Sequence, residues 1–336
     1  MAFAVIAAAL GLALLPGSAA AHGPVDPVAT SYLARVRHVP AGLDAKVVDG
    51  YVRMWLSVPP KETVVVLDYR GAPYLRFSRL GVQVNENSSM YYLNQTPPAA
   101  TPRGDLNAQR PPAWHQVSGG HDYEWHDGRL QALASVALAP GTTYIGKWSI
   151  PLLVSGRVNS ISGGLWHSGD PSIVWFWPII VLLSCVLAAW RLGRVELDAR
   201  LARALAITSL FAIAAAATAR ELHGRPDVSP SQWVEFLIME TLVVWAVRHM
   251  LFGKPGYFAY FVIGVIVLWE GLNLLPTLLH GYVLVALPPL LARTITVLCL
   301  GCGISIFWPA FRLARERIQN ADDDSDLDEV ATWDQS

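Results

Sequence analysis

Trp166-His167-Ser168-Gly169-Asp170-Pro171 runs without a linker into SIVWFWPIIVLLSCVLAAWRL, residues 172–192. The second part carries no charge until Arg191. At ~1.5 Å of rise per residue, ~20 apolar residues cross a hydrocarbon core of ~30 Å. Upstream of this junction the chain reads as strands, and downstream as membrane helices. Over 336 residues, 53% are hydrophobic and the net charge is −1. That balance argues against a nucleic-acid binder, which needs a basic face. Cys185, Cys299 and Cys302 all fall in the apolar half, so the first half has no disulfide framework.

Downstream, further apolar segments occupy about 201–218, 232–247, 257–275 and 290–311, the last opening after Pro288-Pro289. Basic residues give them a direction. With the first half outside, Arg191, Arg194, Arg200, Arg203, Arg248, Lys254, Arg312, Arg315 and Arg317 fall inside, against Arg220 and Arg225 outside. The expectation is a multi-pass plasma-membrane protein. It has an extracytoplasmic β-domain over 22–168 and an all-α bundle of five transmembrane helices over 172–315. An acidic, disordered cytoplasmic tail follows over 316–336.

Upstream, residues 1–21 read as a signal peptide: an apolar run, the breaker Pro16-Gly17, then Ala19-Ala20-Ala21. Cleavage after Ala21 would leave His22 at the N-terminus. In 52–58, Val52, Met54, Leu56 and Val58 share one face. The segments 63–69, 74–77, 82–84, 90–93, 116–117, 122–126, 130–138, 144–153 and 161–166 continue the series. Asp127-Gly128 reads as a hairpin turn, and 95–112 as a proline-rich surface loop. Roughly eight or nine short strands among these ten segments predict an antiparallel β-sandwich.

Three groups of residues could carry chemistry. If 122–126 is a strand, Asp122, Glu124 and His126 share a face. With a free His22, whose amine and imidazole both chelate, they would suit Cu(II). The plainer reading is a solvent-facing edge strand. Glu235, Glu240, Glu270 and Arg293 lie within apolar segments, with Arg220, Glu221, His223 and His280 at the same edge. Such groups are costly in lipid and face a bundle interior. They would form either the path of a transporter or channel-like subunit, or structural pairs such as Glu270 with Arg293. Finally, Cys299-Leu300-Gly301-Cys302 puts two thiols on one helix face. With Gly301 and Gly303 beside them, helix packing competes with metal or redox chemistry. No nucleophile–base arrangement supports an enzyme.

Some phrases resemble known families. Thr63-Val64-Val65-Val66-Leu67-Asp68-Tyr69-Arg70-Gly71-Ala72-Pro73-Tyr74-Leu75-Arg76-Phe77, Val84-Asn85, Tyr92-Leu93-Asn94 and Trp125-His126-Asp127-Gly128-Arg129 resemble uncharacterised actinobacterial multi-span membrane proteins. That resemblance implies an exported β-domain and several spans, and no activity. Ala21-His22, Pro140-Gly141-Thr142-Thr143-Tyr144, Trp148, Ser155-Gly156-Arg157 and Gly163 are faintly similar to copper-binding periplasmic proteins of the CopC type. Those are β-sandwiches that hold copper through an N-terminal His and an Asp-x-His pair. Here that pair's place reads Ser155-Gly156-Arg157. The combined expectation is a non-enzymatic envelope protein in membrane lipid. Its Ig-like or CopC-like β-domain would bind a metal ion, copper in the sharpest form, or a partner protein.

Overall fold

A computed structural model describes residues 27–94, 109–131, 143–253 and 256–333. The expected signal peptide, His22, most of the proline-rich loop and most of the 130–138 strand lie outside the described residues.

The first half is an antiparallel β-domain. Its strands are β1 (Ala29–Thr30), β2 (Tyr32–His38), β3 (Asp44–Val48), β4 (Arg53–Ser57), β5 (Val64–Leu67) and β6 (Pro73–Ser78). Then come β7 (Gly81–Asn85), β8 (Trp114–Ser118), β9 (Asp122–His126), β10 (Tyr144–Val154) and β11 (Arg157–His167). One sheet has the order β2-β11-β10-β5-β6-β7-β8, and a smaller one the order β3-β4-β9. The two share one core: Met54, Leu56 and Trp125 of the small sheet join Val64, Leu75, Phe77, Ile150, Leu152 and Ile161 of the large one. The two-residue period explains the sidedness, since alternate residues point to one face. Met54 and Leu56 are fully buried, and Val58 just beyond the strand nearly so.

Two local expectations need correction. The 90–93 segment is a helix, α1 (Ser89–Leu93), because the Ser88 side chain caps the Met90 N–H and Met90 fills the core. Asp127-Gly128 does not join two strands. Asp127 is buried and accepts from Trp125 Nε1 and from the Arg129 N–H and guanidinium, which starts a 3-10 turn over Gly128–Gln131.

The second half comprises α2 (Trp177–Leu192), α3 (Val195–Glu221), α4 (Pro230–Phe252), α5 (Tyr257–Leu274), a short α6 (Pro276–Leu279) and α7 (Pro289–Trp333). Between α6 and α7 lies strand β12 (Tyr282–Val283). Among the described residues four helical segments are long and apolar enough to cross a membrane. They are Ile173–Leu192, Val195–Glu221, Tyr257–Leu274 and Pro289–Arg317. The expectation had five. The remaining helix, α4, has 23 residues, but Gln232, Glu235 and Glu240 lower its mean hydropathy. Large apolar side chains such as Trp177, Val181, Phe258, Val265, Trp269, Ile304 and Phe311 are exposed around the bundle. A lipid-embedded surface has that composition, and a water-exposed one of this extent is unusual. Helix α7 continues through the acidic segment to Trp333, where composition alone suggested no regular structure.

Small residues set the helix packing. Ala212, Ala216, Ala217 and Ala219 of α3 are buried against neighbouring helices. A Cβ on Gly264 would meet Phe307 at 3.1 Å and Ile306 at 2.6 Å, and one on Gly303 would meet Leu268 at 3.0 Å. Helices α5 and α7 therefore approach through glycine, as close helix contact in a membrane requires.

Candidate functional site at the junction of the two halves

The β-domain and the helices are joined by backbone. Strand β1 pairs antiparallel with β12, Ala29 opposite Val283 and Thr30 opposite Tyr282. The Leu284 N–H donates to the Val28 carbonyl at 2.7 Å. A second contact involves the 166–171 stretch that leads into the first apolar helix. A Cβ on Gly281 would fall on the Ser168 side chain and lie 2.7 Å from the Gly169 carbonyl oxygen. The Ser168 N–H in turn donates to the Ser31 carbonyl at 2.9 Å. Ser31 Oγ lies 2.9 Å from His280 Nδ1.

A charged group lies beside this seam. Asp49 follows β3 in a left-handed conformation, φ +56°, and Gly50 continues it at φ +77°. A side chain on Gly50 would strike Thr30 Cγ2 at 2.7 Å, so the turn sits flush against β1. Asp49 is buried and ion-paired with Arg53 Nη2, and with Arg225 Nη1 at 3.7 Å. Arg225 also donates to the Pro27 carbonyl at 3.1 Å, and Lys46 reaches Asp227 at 3.2 Å. The loop between α3 and α4 is thereby fastened to the small sheet. Burial pushes the Asp49 carboxyl above its ordinary value; Arg53 works against that and Glu124 with it.

Asp122, Glu124 and His126 do share one face of β9, opposite Ser57, Trp55 and Arg53, while Trp125 turns into the core. Glu124, however, accepts from Arg53 Nη1 at 2.6 Å. Burial lowers the His126 imidazole below its usual value, partly opposed by Asp127 and reinforced by Arg53. Among the described residues no group of three or more His, Cys, Asp or Glu is arranged to hold a metal. Ser155-Gly156 forms the β10–β11 turn, with φ +47° and +80°.

The intramembrane polar residues divide by partner. Glu270 on α5 pairs with Arg220 on α3 at 2.8 Å, not with Arg293 as the structural reading expected. Arg293 instead donates to the Thr277, His280 and Gly281 carbonyls at 3.0, 3.3 and 3.1 Å. Helix α6 ends there, and terminal carbonyls that lack a helical partner need a donor. Glu221 lies within electrostatic range of Arg220, Glu235 and Glu270. Ser229 caps α4, and Gln232 accepts from its N–H while donating to the Glu221 and His223 carbonyls at 3.0 and 3.4 Å. Glu235 is exposed, and Glu240 Oε1 is buried with no hydrogen-bond partner among the described residues. Cys299 and Cys302 are buried free thiols of α7, and a Cβ on Gly301 between them would meet Leu182 of α2 at 3.1 Å.

Sequence reasoning missed one surface. Lys147, Gly164 and Arg35 form a cross-strand row on the large sheet. A Cβ on Gly164 would meet Trp166 at 2.8 Å and Tyr144 at 2.9 Å, so both rings lie over the bare glycine. Arg35 stacks on Trp166 at 5.6 Å, and Arg37 lies 4.9 Å from Trp166 and 5.7 Å from Tyr144. Among the described residues Arg35, Arg37 and Lys147 form no ion pair. Trp166 lies at the end of β11, next to the first apolar helix, so this basic aromatic face is mounted close to the bundle. Its signal was the alternation Arg35-x-Arg37 opposite Gly163-Gly164-Leu165-Trp166.

Comparison with known protein families, with curated proteins and with solved structures finds no match for the chain.

Proposed function

We propose that the chain is an integral plasma-membrane protein of a cell envelope whose extracytoplasmic β-domain docks an anionic partner protein. The observation that carries this reading is the Arg35–Arg37–Lys147 face, with its Trp166 and Tyr144 platform and, among the described residues, no carboxylate paired with it. Arginine on aromatic rings is partly desolvated and aimed, which suits recognition of carboxylates. The junction fixes this face relative to the helices, so binding outside bears on the bundle. In this reading α4 is the fifth crossing. Its ~34 Å length at ~1.5 Å per residue suffices for the hydrocarbon core. Its start is held to the end of α3 through Gln232, beside the loop that Arg225 ties to the β-domain, so α5 must begin at the opposite end. Five crossings put the C-terminal end in the cytoplasm, as the basic-residue bias favours.

The test is site-specific photocrosslinking in intact cells. A photoreactive residue at Ser149, exposed on the same sheet, should yield an adduct that Arg35→Glu with Arg37→Glu removes. The same probe at Lys61, exposed in the loop between β4 and β5, should yield none. Equal adducts at both positions, or an adduct indifferent to the charge reversals, would refute the reading.

The metal reading draws less support, because Arg53 already occupies Glu124. The transporter alternative rests on Glu240 alone, since Glu270 and Arg293 are held by structural partners. Proton leak in reconstituted vesicles that Glu240→Gln abolishes would restore it.

A further inference from the structure

The arginines of the bundle fall into two kinds. Arg220 is paired with Glu270, Arg293 is spent on carbonyls, and Arg312 holds Asp198 at 2.6 Å and the Trp190 carbonyl at 2.7 Å. At the end remote from the β-domain a different group remains. The start of α3 supplies Glu196, Arg200 and Arg203, the start of α5 supplies Tyr257 and Tyr260, and α7 supplies Leu313 and Arg317. They surround an open cavity of about 580 Å³. Three guanidinium groups face one carboxylate, and that carboxylate holds only Arg200, in an exposed contact of 3.7 Å. Arg203 and Arg317 have no hydrogen bond or ion pair among the described residues. Tyr260 is 4% exposed yet lines the cavity, and its hydroxyl has no partner among the described residues.

We propose that this cavity binds a phosphate group, presented by the headgroup of an anionic phospholipid in the leaflet away from the β-domain. The chemistry follows from the lining. Guanidinium forks match phosphate oxygens in pairs, and a tyrosine hydroxyl adds a neutral donor. The position follows from the fold. The cavity lies where α3 begins and where α7 leaves its apolar stretch, the level at which headgroups sit. Basic pockets between helices at that level are the usual seats of such lipids. Phe252 and Phe258, on the helices that end and begin there, are 85% and 71% exposed, leaving apolar surface for acyl chains. A general excess of positive charge would account for Arg191 or Arg315. It would not gather three arginines from two helices around one cavity with two tyrosines.

The test uses the full chain, delipidated in neutral detergent. Native mass spectrometry would count bound lipid while phosphatidylglycerol, phosphatidylcholine or soluble glycerol phosphate is titrated. The expected result is retention of phosphatidylglycerol over phosphatidylcholine, weakened roughly tenfold or more by Arg203→Gln with Arg317→Gln. Arg191→Gln with Arg315→Gln should change it less than about twofold. Should the glutamine pair fail to fold, Arg203→Lys with Arg317→Lys keeps the charge and loses the fork, and a several-fold weakening is expected. Equal loss in the Arg191/Arg315 control would overturn the site in favour of diffuse charge. Equal retention of phosphatidylcholine would overturn the headgroup selectivity. Displacement of lipid by glycerol phosphate at equal concentration would overturn the lipid as the source of the phosphate.

Discussion

Asp49 of the β-domain and Arg225 of the α3–α4 loop meet at 3.7 Å, and this contact ties the small sheet to the helices. Asp49 is buried, its backbone is left-handed, and Arg53 shares its charge. Removing the carboxylate takes from Arg53 and Arg225 the buried counter-charge they share. Asp49→Ala should cost about 2–3 kcal/mol, the range for a buried charge-assisted pair. Asp49→Asn should cost less, because asparagine tolerates positive φ and retains an acceptor. Thermal unfolding in lipid nanodiscs, with proteolysis of the 223–228 loop as a local readout, would separate the two. Equal stability of wild type and Asp49→Ala would remove the pair from the junction.

Gly281 gives a steric test of the same seam. Its missing Cβ is the space into which Ser168 fits. Gly281→Val must push the 168–169 backbone or β12 aside, at about 1–3 kcal/mol by the usual cost of overpacking. Hydrogen exchange should then rise at residues 28–31 and 282–284 together, since they are one paired unit. A rise confined to one strand would argue that the pairing is incidental.

The strands were legible from apolar alternation, as in Met54-x-Leu56-x-Val58, although Trp55 between them is buried too, and in Asp122–His126. The apolar helices were legible from length alone. What escaped was set by distant partners. Strands β1 and β12 are two residues each and exist because they find each other across the chain. Arg293 was assigned to Glu270 by proximity in membrane depth, but α6 offered it unpaired carbonyls and Arg220 took the carboxylate. Asp127-Gly128 has turn composition, yet the buried Asp127 is fixed by Arg129 and Trp125. Arg35 and Arg37 drew no notice because an Arg-x-Arg alternation is ordinary on an exposed face. Only the bare Gly164 opposite, with two rings over it, distinguishes them.

The Arg220–Glu270 pair predicts a compensation pattern. Glu270 is more enclosed, 13% against 33% for Arg220, so the lone carboxylate left by Arg220→Gln should be the costlier change. Arg220→Gln and Glu270→Gln should each lower the melting temperature in detergent. The double substitution should recover part of the loss, because no buried charge is left unpaired. Strictly additive losses would mean that the two side chains do not depend on one another.

Acidification should loosen the junction, and His223 gives the sign. Burial holds its imidazole below the ordinary value of 6.5, so the folded state resists the proton that the unfolded chain accepts. Stability from His223 is therefore complete above that value and is lost as pH falls through it towards the folded pKa. His126 acts in the same direction, its burial also lowering the imidazole. Asp49 acts in the opposite direction. Its carboxyl is raised from 3.8, so it favours the folded state on acidification, in the window between that value and its folded pKa. From pH 7.5 to 5.5 the histidine effect should prevail, with a slope below about 1.4 kcal/mol per pH unit for each group. Thermal unfolding in nanodiscs would record that slope. His223→Gln should reduce it, and His223→Gln with His126→Gln should reduce it further. An unchanged slope in the double variant would place the pH sensitivity elsewhere in the molecule.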